Sequence, residues 1–169
     1  MIRVIVLGIL IIISFLLQTS VFNLIPLAGV VPNVLLVLTM SFGMMRGRRE
    51  GMLVGFFGGL LIDIFYGFAI GPYALIYMYF GYLNGLFHRF YYVENVLLPL
   101  VMIAANEWLY GTIVYVIFFL MRNRLQYGFY LQNIIVPEMI YTMLVTLVLY
   151  RLLMHINKGL KHIEEGSEA

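Results

Sequence analysis

Gly51-Met-Leu-Val-Gly55-Phe-Phe-Gly-Gly59-Leu-Leu-Ile-Asp63-Ile-Phe-Tyr-Gly67-Phe-Ala-Ile-Gly71 puts a glycine at every fourth position of an apolar stretch and replaces one of them with a carboxylate. Gly43 and Gly47 carry the same spacing upstream. On an α-helix a four-residue step drifts by only about 40°. Gly51, Gly55, Gly59 and Asp63 therefore form one slowly winding ridge. A ridge without side chains lets two backbones approach closely, which is a main source of helix association in lipid. Two uses follow: packing against another helix of the same chain, or docking of a partner helix. Gly58, together with Gly81-x-x-x-Gly85 in the next apolar run, extends the small-residue surface.

The rest of the chain is equally apolar. Of 169 residues, 63% are hydrophobic and 11% charged, against about 45–50% and about 25% in soluble domains. The mean hydropathy is +1.00. This is the composition of an all-α, polytopic membrane protein, with apolar runs near the roughly 20 residues that match the hydrocarbon core. No stretch is polar and long enough for a soluble catalytic domain, the longest being Asn157 to Ala169. Cysteine is absent, which excludes disulfides, thiol catalysis and thiolate metal sites.

About six transmembrane helices are expected. Val4 to Phe22 is the first, and the residues after its apolar core make a poor processing site, so it reads as a retained span rather than a cleaved signal. Pro32-Asn33 opens a short second run to Met45, with proline tolerated in the first turn. Gly51 to Phe68 and Tyr73 to Phe87 are the third and fourth, separated at Gly71-Pro72. Val96 to Met121 is the fifth, residues 122–133 form a polar and aromatic loop, and Ile134 to Met154 is the sixth. Residues 1–156 thus make one transmembrane domain and 157–169 a short cytoplasmic tail, and Arg151 to Glu165 has the pattern of an amphipathic surface helix extending the sixth span.

Six spans place Arg3, Arg46, Arg48, Arg49, Arg89, Arg151, Lys158 and Lys161 on one side and only Arg122 and Arg124 on the other. The positive-inside rule makes the first side, and with it both termini, cytoplasmic. Tyr73, Tyr91, Tyr92, Tyr127, Tyr130 and Tyr150 lie near span ends, where amphipathic rings favour the headgroup level.

Three carboxylates fall within spans: Asp63, Glu107 beside Asn106, and Glu138 after Pro137. Each costs about 2.5–3.5 kcal/mol to insert even on lenient scales, so each is expected to face protein, water or a partner, as a functional group or as hydrogen-bonded structural glue. No span carries a lysine or arginine in its middle, which argues against a proton or ion pathway. A local outer latch, with Asp63 near Glu138 or near Arg122 and Arg124, is the alternative. The residue patterns of nucleotide hydrolysis, zinc proteolysis and serine hydrolysis are all missing. His88, His155 and His162 are scattered along the cytoplasmic boundary and do not form a metal constellation. No cofactor, metal site or nucleic-acid partner is expected; the bilayer is.

Pro32-Asn33-Val-Leu-Leu-Val-Leu, the Gly51 to Gly71 series with its Gly-Leu-Leu-x-Asp63 segment, and Gly81-Tyr82-x-x-Gly85 together resemble the MreD family of rod shape-determining proteins. The motif resemblance covers about Pro32 to Gly85, and length and span count match over the whole chain. It implies a non-enzymatic scaffold of the bacterial cell-elongation machinery in the inner membrane. Such a scaffold binds the single-span protein MreC and connects MreB filaments to the SEDS glycosyltransferase and the class B penicillin-binding protein that build sidewall peptidoglycan. It also implies a fold similar to the substrate-binding subunits of ECF vitamin transporters, and such a subunit is the alternative function. Against that alternative, the first span reads Val-Leu-Gly8-Ile-Leu-Ile-Ile12 and lacks an Ala-x-x-x-Ala stripe. Gly55, Gly59, Asp63 and Gly67 match the family motif and are expected to serve packing or partner docking. Nothing family-specific extends to Glu107 or Glu138, which with Asn106 remain intramembrane polar candidates.

Overall fold

Asn33 starts the helix around which the others assemble: its side chain accepts the Leu36 N–H, as an N-cap does. In the computed structural model, which describes residues 2–90, 96–118 and 126–167, the regular elements are all helices. α1 is Ile2–Leu24, an α-helix interrupted by a π-helical turn at Leu17–Val21. α2 is Val34–Arg46, α3 Arg48–Tyr66 and α4 Pro72–Leu86, the last continued by a 3-10 turn at Phe87–Phe90. α5 is Leu97–Phe118. α6 begins at Tyr127–Tyr130, passes a second π-helical turn at Leu131–Ile135 and runs on as Val136–Ser167.

α2 is the axis. Every residue from Val34 to Met45 is buried, and α1, α3, α4, α5 and α6 all contact it. α3 and α4 form the tightest pair, and α5 packs against α6. One residue, Gly47, joins α2 to α3 at φ +98°, a conformation that only glycine adopts without strain. α1 lies outermost, with only Ile11, Ser14 and Phe15 buried. Its exposed Val4, Ile5, Ile9 and Ile12 suit contact with lipid.

Three helices are long and apolar enough to cross a membrane: Ile2–Leu24, Leu97–Phe118 and Tyr127–Ile163. The other three fall short for physical reasons. α2 and α4, with 13 and 15 residues, rise only about 20 and 22 Å at 1.5 Å per residue, less than the roughly 30 Å hydrocarbon core. α3 is longer but carries Arg48, Arg49, Glu50 and Asp63. Short helices are tolerated at membrane depth where protein covers them, and α2 is covered on every side.

Residues 127–133 differ from expectation. Tyr127 to Asn133 is helical, not loop. The polar residues there satisfy local bonds, Asn133 Nδ2 to the Phe129 carbonyl at 2.8 Å and Tyr127 to Thr112 Oγ1 at 2.9 Å, while Tyr127 and Tyr130 pack their rings on Tyr115. Arg122 and Arg124, placed in that loop, lie outside the described residues, as do Tyr91 and Tyr92. At the other end α6 continues through residue 156 without a break, and Asn157 and Leu160 are buried.

Candidate functional site

The glycine ridge meets α4. An added methyl at Gly55 would run into the Tyr77 carbonyl and come within 2.9 Å of Thr39 Cγ2 on α2. At Gly59 it would meet the Tyr73 carbonyl and stand 2.7 Å from Ala74 Cα. At Gly51 it would meet the Gly81 carbonyl and the Gly43 backbone, and at Gly85 the Arg48 backbone. Gly43, Gly51 and Gly81 thus bring three helices, α2, α3 and α4, into backbone contact at one point. The ridge is filled by this chain's own α4 and α2. Gly67 and Gly71 share its sequence spacing but not its face, because α3 ends at Tyr66: Gly67 caps α3 and Gly71 precedes α4.

Asp63 closes the hairpin. Its Oδ2 accepts the N–H groups of Gly71 at 3.0 Å and Ala74 at 2.9 Å, and its Oδ1 accepts that of Tyr73 at 3.0 Å. The carboxylate sits where the α4 dipole is positive and where the first-turn N–H groups have no helical partner. It is 2% exposed, so burial in protein and three charge-assisted bonds offset the cost of its charge at that depth.

Glu107 and Glu138 belong to a different cluster: among the described residues the Asp63 oxygens bond the α4 backbone and not Glu138, and Arg122 and Arg124, the other partners expected for an outer latch, lie outside the described residues. Glu107, on α5, is fully buried and hydrogen-bonds Thr142 of α6; Glu138, half-buried one turn before Thr142, lies within electrostatic range of Glu107. Thr142 Oγ1 accepts the Asn33 N–H at 3.0 Å, and Asn33 Oδ1 accepts the Tyr77 hydroxyl at 2.6 Å. Tyr77 is in turn hydrogen-bonded to Tyr110, their rings meeting edge to face at 5.5 Å. This network joins α2, α4, α5 and α6 through the protein centre.

Asn106 pairs with a residue that the span-by-span reading passed over. Asn84 Nδ2 donates to Asn106 Oδ1 at 3.1 Å, and Asn106 Nδ2 returns the bond to Asn84 Oδ1 at 2.9 Å. Each amide also donates to its own helix, Asn84 to Phe80 and Asn106 to Met102. The signal for Asn84, an amide within the apolar run of α4, was present in the sequence but not distinctive. Tyr77 and Thr142 gave no signal, because tyrosine and threonine are common in spans.

The basic residues gather at the end of the molecule away from Asp63. Arg3 of α1 pairs with Glu50 of α3, Arg46 Nε donates to Asn157 Oδ1 of α6 at 2.5 Å, and the His88 ring bonds the Met44 carbonyl. Arg48 stands over the Tyr82 ring at 6.0 Å, within cation–π range. The α1 start, the α2–α3 turn, the α4 end and the distal part of α6 are therefore tied together at one face.

The sequence matches the family model described as rod shape-determining protein MreD over residues 1–158. Comparison with curated proteins and with solved structures gave no match. A match over almost the whole helical body, joined to the ridge and the aspartate-capped hairpin, assigns the chain to the MreD family of rod shape-determining membrane proteins.

Proposed function

We propose that this chain is a non-enzymatic, multi-pass scaffold of the bacterial elongation complex that binds MreC and supports sidewall peptidoglycan synthesis by the SEDS glycosyltransferase and class B penicillin-binding protein, in register with MreB. The family match over residues 1–158 carries this reading. The family role is determination of rod shape. The proposed topology has six crossings in the inner membrane, with both termini on the cytoplasmic side, as the basic cluster of Arg46, Arg48, Arg49, Lys158 and Lys161 favours.

Because α4 and α2 fill the ridge, Gly51, Gly55 and Gly59 support partner binding through the shape of the hairpin, and the partner helix meets another surface. The test is affinity purification from native membranes in mild detergent, with quantitative mass spectrometry, for wild type and Gly59→Leu. Recovery of an MreC-like single-span protein and wall synthases, reduced in the variant, is expected. Recovery of ATPase and energising membrane subunits instead would turn the reading to an ECF-type carrier.

A further inference from the structure

At the end of the molecule opposite the basic cluster lies a cavity of about 250 Å³ lined by Gln18, Thr19, Asn23, Tyr66, Tyr73 and Tyr110, among others. Two amides, one aliphatic hydroxyl and three phenols converge there from α1, α3, α4 and α5. The π-helical turn at Leu17–Val21 carries Gln18 and Thr19, and such turns recur at functional sites in α-helices.

The hydrogen bonds already made leave a defined remainder. Gln18 Oε1 accepts the Leu35 N–H at 3.0 Å, so its two amide N–H donors remain. Thr19 donates its hydroxyl hydrogen to the Phe15 carbonyl at 2.8 Å, so its lone pairs remain. Asn23 brings both a donor pair and an acceptor. None of the residues lining the cavity is charged. The nearby Asp63 is already engaged by three backbone N–H groups at the α4 N-terminus. A charged ligand would lose hydration with no charged side chain in the lining to replace it, whereas a ring bearing hydroxyl and amide groups would find donors, acceptors and aromatic walls. The volume lies just under the roughly 300–1,000 Å³ of pockets for drug-sized ligands, which limits the occupant to a single ring.

We propose that this cavity is a binding site for one neutral pyranose unit, of the size and chemistry of an N-acetylhexosamine. The proposal rests on the cavity alone and is independent of the scaffold reading.

The experiment is saturation-transfer NMR on the full chain in lipid nanodiscs with N-acetylglucosamine as probe and glucosamine, its cationic analogue, as comparator. Wild type, Asn23→Leu, Tyr66→Phe and the distant Tyr79→Phe are measured, with helicity and melting temperature checked by circular dichroism. The site predicts saturation transfer to N-acetylglucosamine, at least about fivefold weaker transfer to glucosamine, loss of most of the signal in Asn23→Leu, reduction in Tyr66→Phe and no change in Tyr79→Phe. No transfer to N-acetylglucosamine in wild type, equal transfer to glucosamine, or full signal in a folded Asn23→Leu protein overturns the proposal. Should Asn23→Leu fail to fold, Tyr66→Phe, which removes a single oxygen from an exposed ring, decides by the same criterion.

Discussion

Asp63 Oδ2 accepts the Ala74 N–H at 2.9 Å, so the carboxylate at the far end of the α3 ridge also closes the first turn of α4, eleven residues later. The glycines between Gly51 and Gly59 press α3 onto α4 along their length, and Asp63 fixes the register at the turn. An aspartate and a row of glycines thereby perform one task, a helical hairpin with backbones in contact.

Removing the carboxylate strands three N–H groups. Asp63→Ala is expected to destabilise the protein by about 2–3 kcal/mol, the cap value of roughly 0.5–2 kcal/mol plus the cost of buried unsatisfied donors. Asp63→Asn retains one acceptor oxygen and should lose about half as much. Reversible unfolding in mixed micelles measures both. If Asn and Ala are equally damaging, charge rather than acceptor count holds the turn.

The ridge gives an internal control. Gly55→Ala drives a methyl into the Tyr77 carbonyl, which belongs to a helix backbone and cannot rotate away; the cost should reach at least the roughly 1–3 kcal/mol of core overpacking. Gly8 in α1 has open space around the added atom, and Gly8→Ala should be neutral or stabilising by up to about 1 kcal/mol. The same unfolding assay ranks the two, and equal effects would remove the close-packing argument.

Much of this hairpin was legible beforehand, for a reason particular to glycine. A four-residue glycine row has few causes other than close helix contact, so Gly51, Gly55 and Gly59 announced a ridge. The row could not name its partner, since spacing on one helix says nothing about which helix fills it. Gly67 and Gly71 misled for a related reason: the spacing runs on past Tyr66 although the helix does not. Glu107 and Glu138 were visible as costly residues, but their link through Thr142 to Asn33 and Tyr77 depends on how four helices cross. The start of α6 was misread because Gln132 and Asn133 resemble loop residues, whereas both are helical and Asn133 bonds the Phe129 carbonyl one turn earlier.

The reciprocal amide pair between Asn84 and Asn106 should show energetic coupling. A double-mutant cycle with alanine at each site is expected to return about 0.6 kcal/mol, and at most about 1.7 kcal/mol, the range found for hydrogen bonds between membrane helices. Unfolding free energies of the four proteins provide the value, and a coupling of zero would show that α4 and α5 are held together by packing alone.

The absence of cysteine makes topology directly measurable. Ala69→Cys, at the exposed link after α3, should react with an impermeant maleimide in intact spheroplasts. Lys158→Cys, at the basic end of α6, should react only after the membrane is opened. The opposite pattern would invert the proposed orientation.

The most direct measurement is cell shape on depletion of this chain in its native host, followed by microscopy of cell width and length. A rod shape-determining role predicts that the rods widen and round as the protein is lost, with recovery on re-expression of wild type and less recovery with Gly59→Leu. Rods of unchanged width after complete depletion would contradict it.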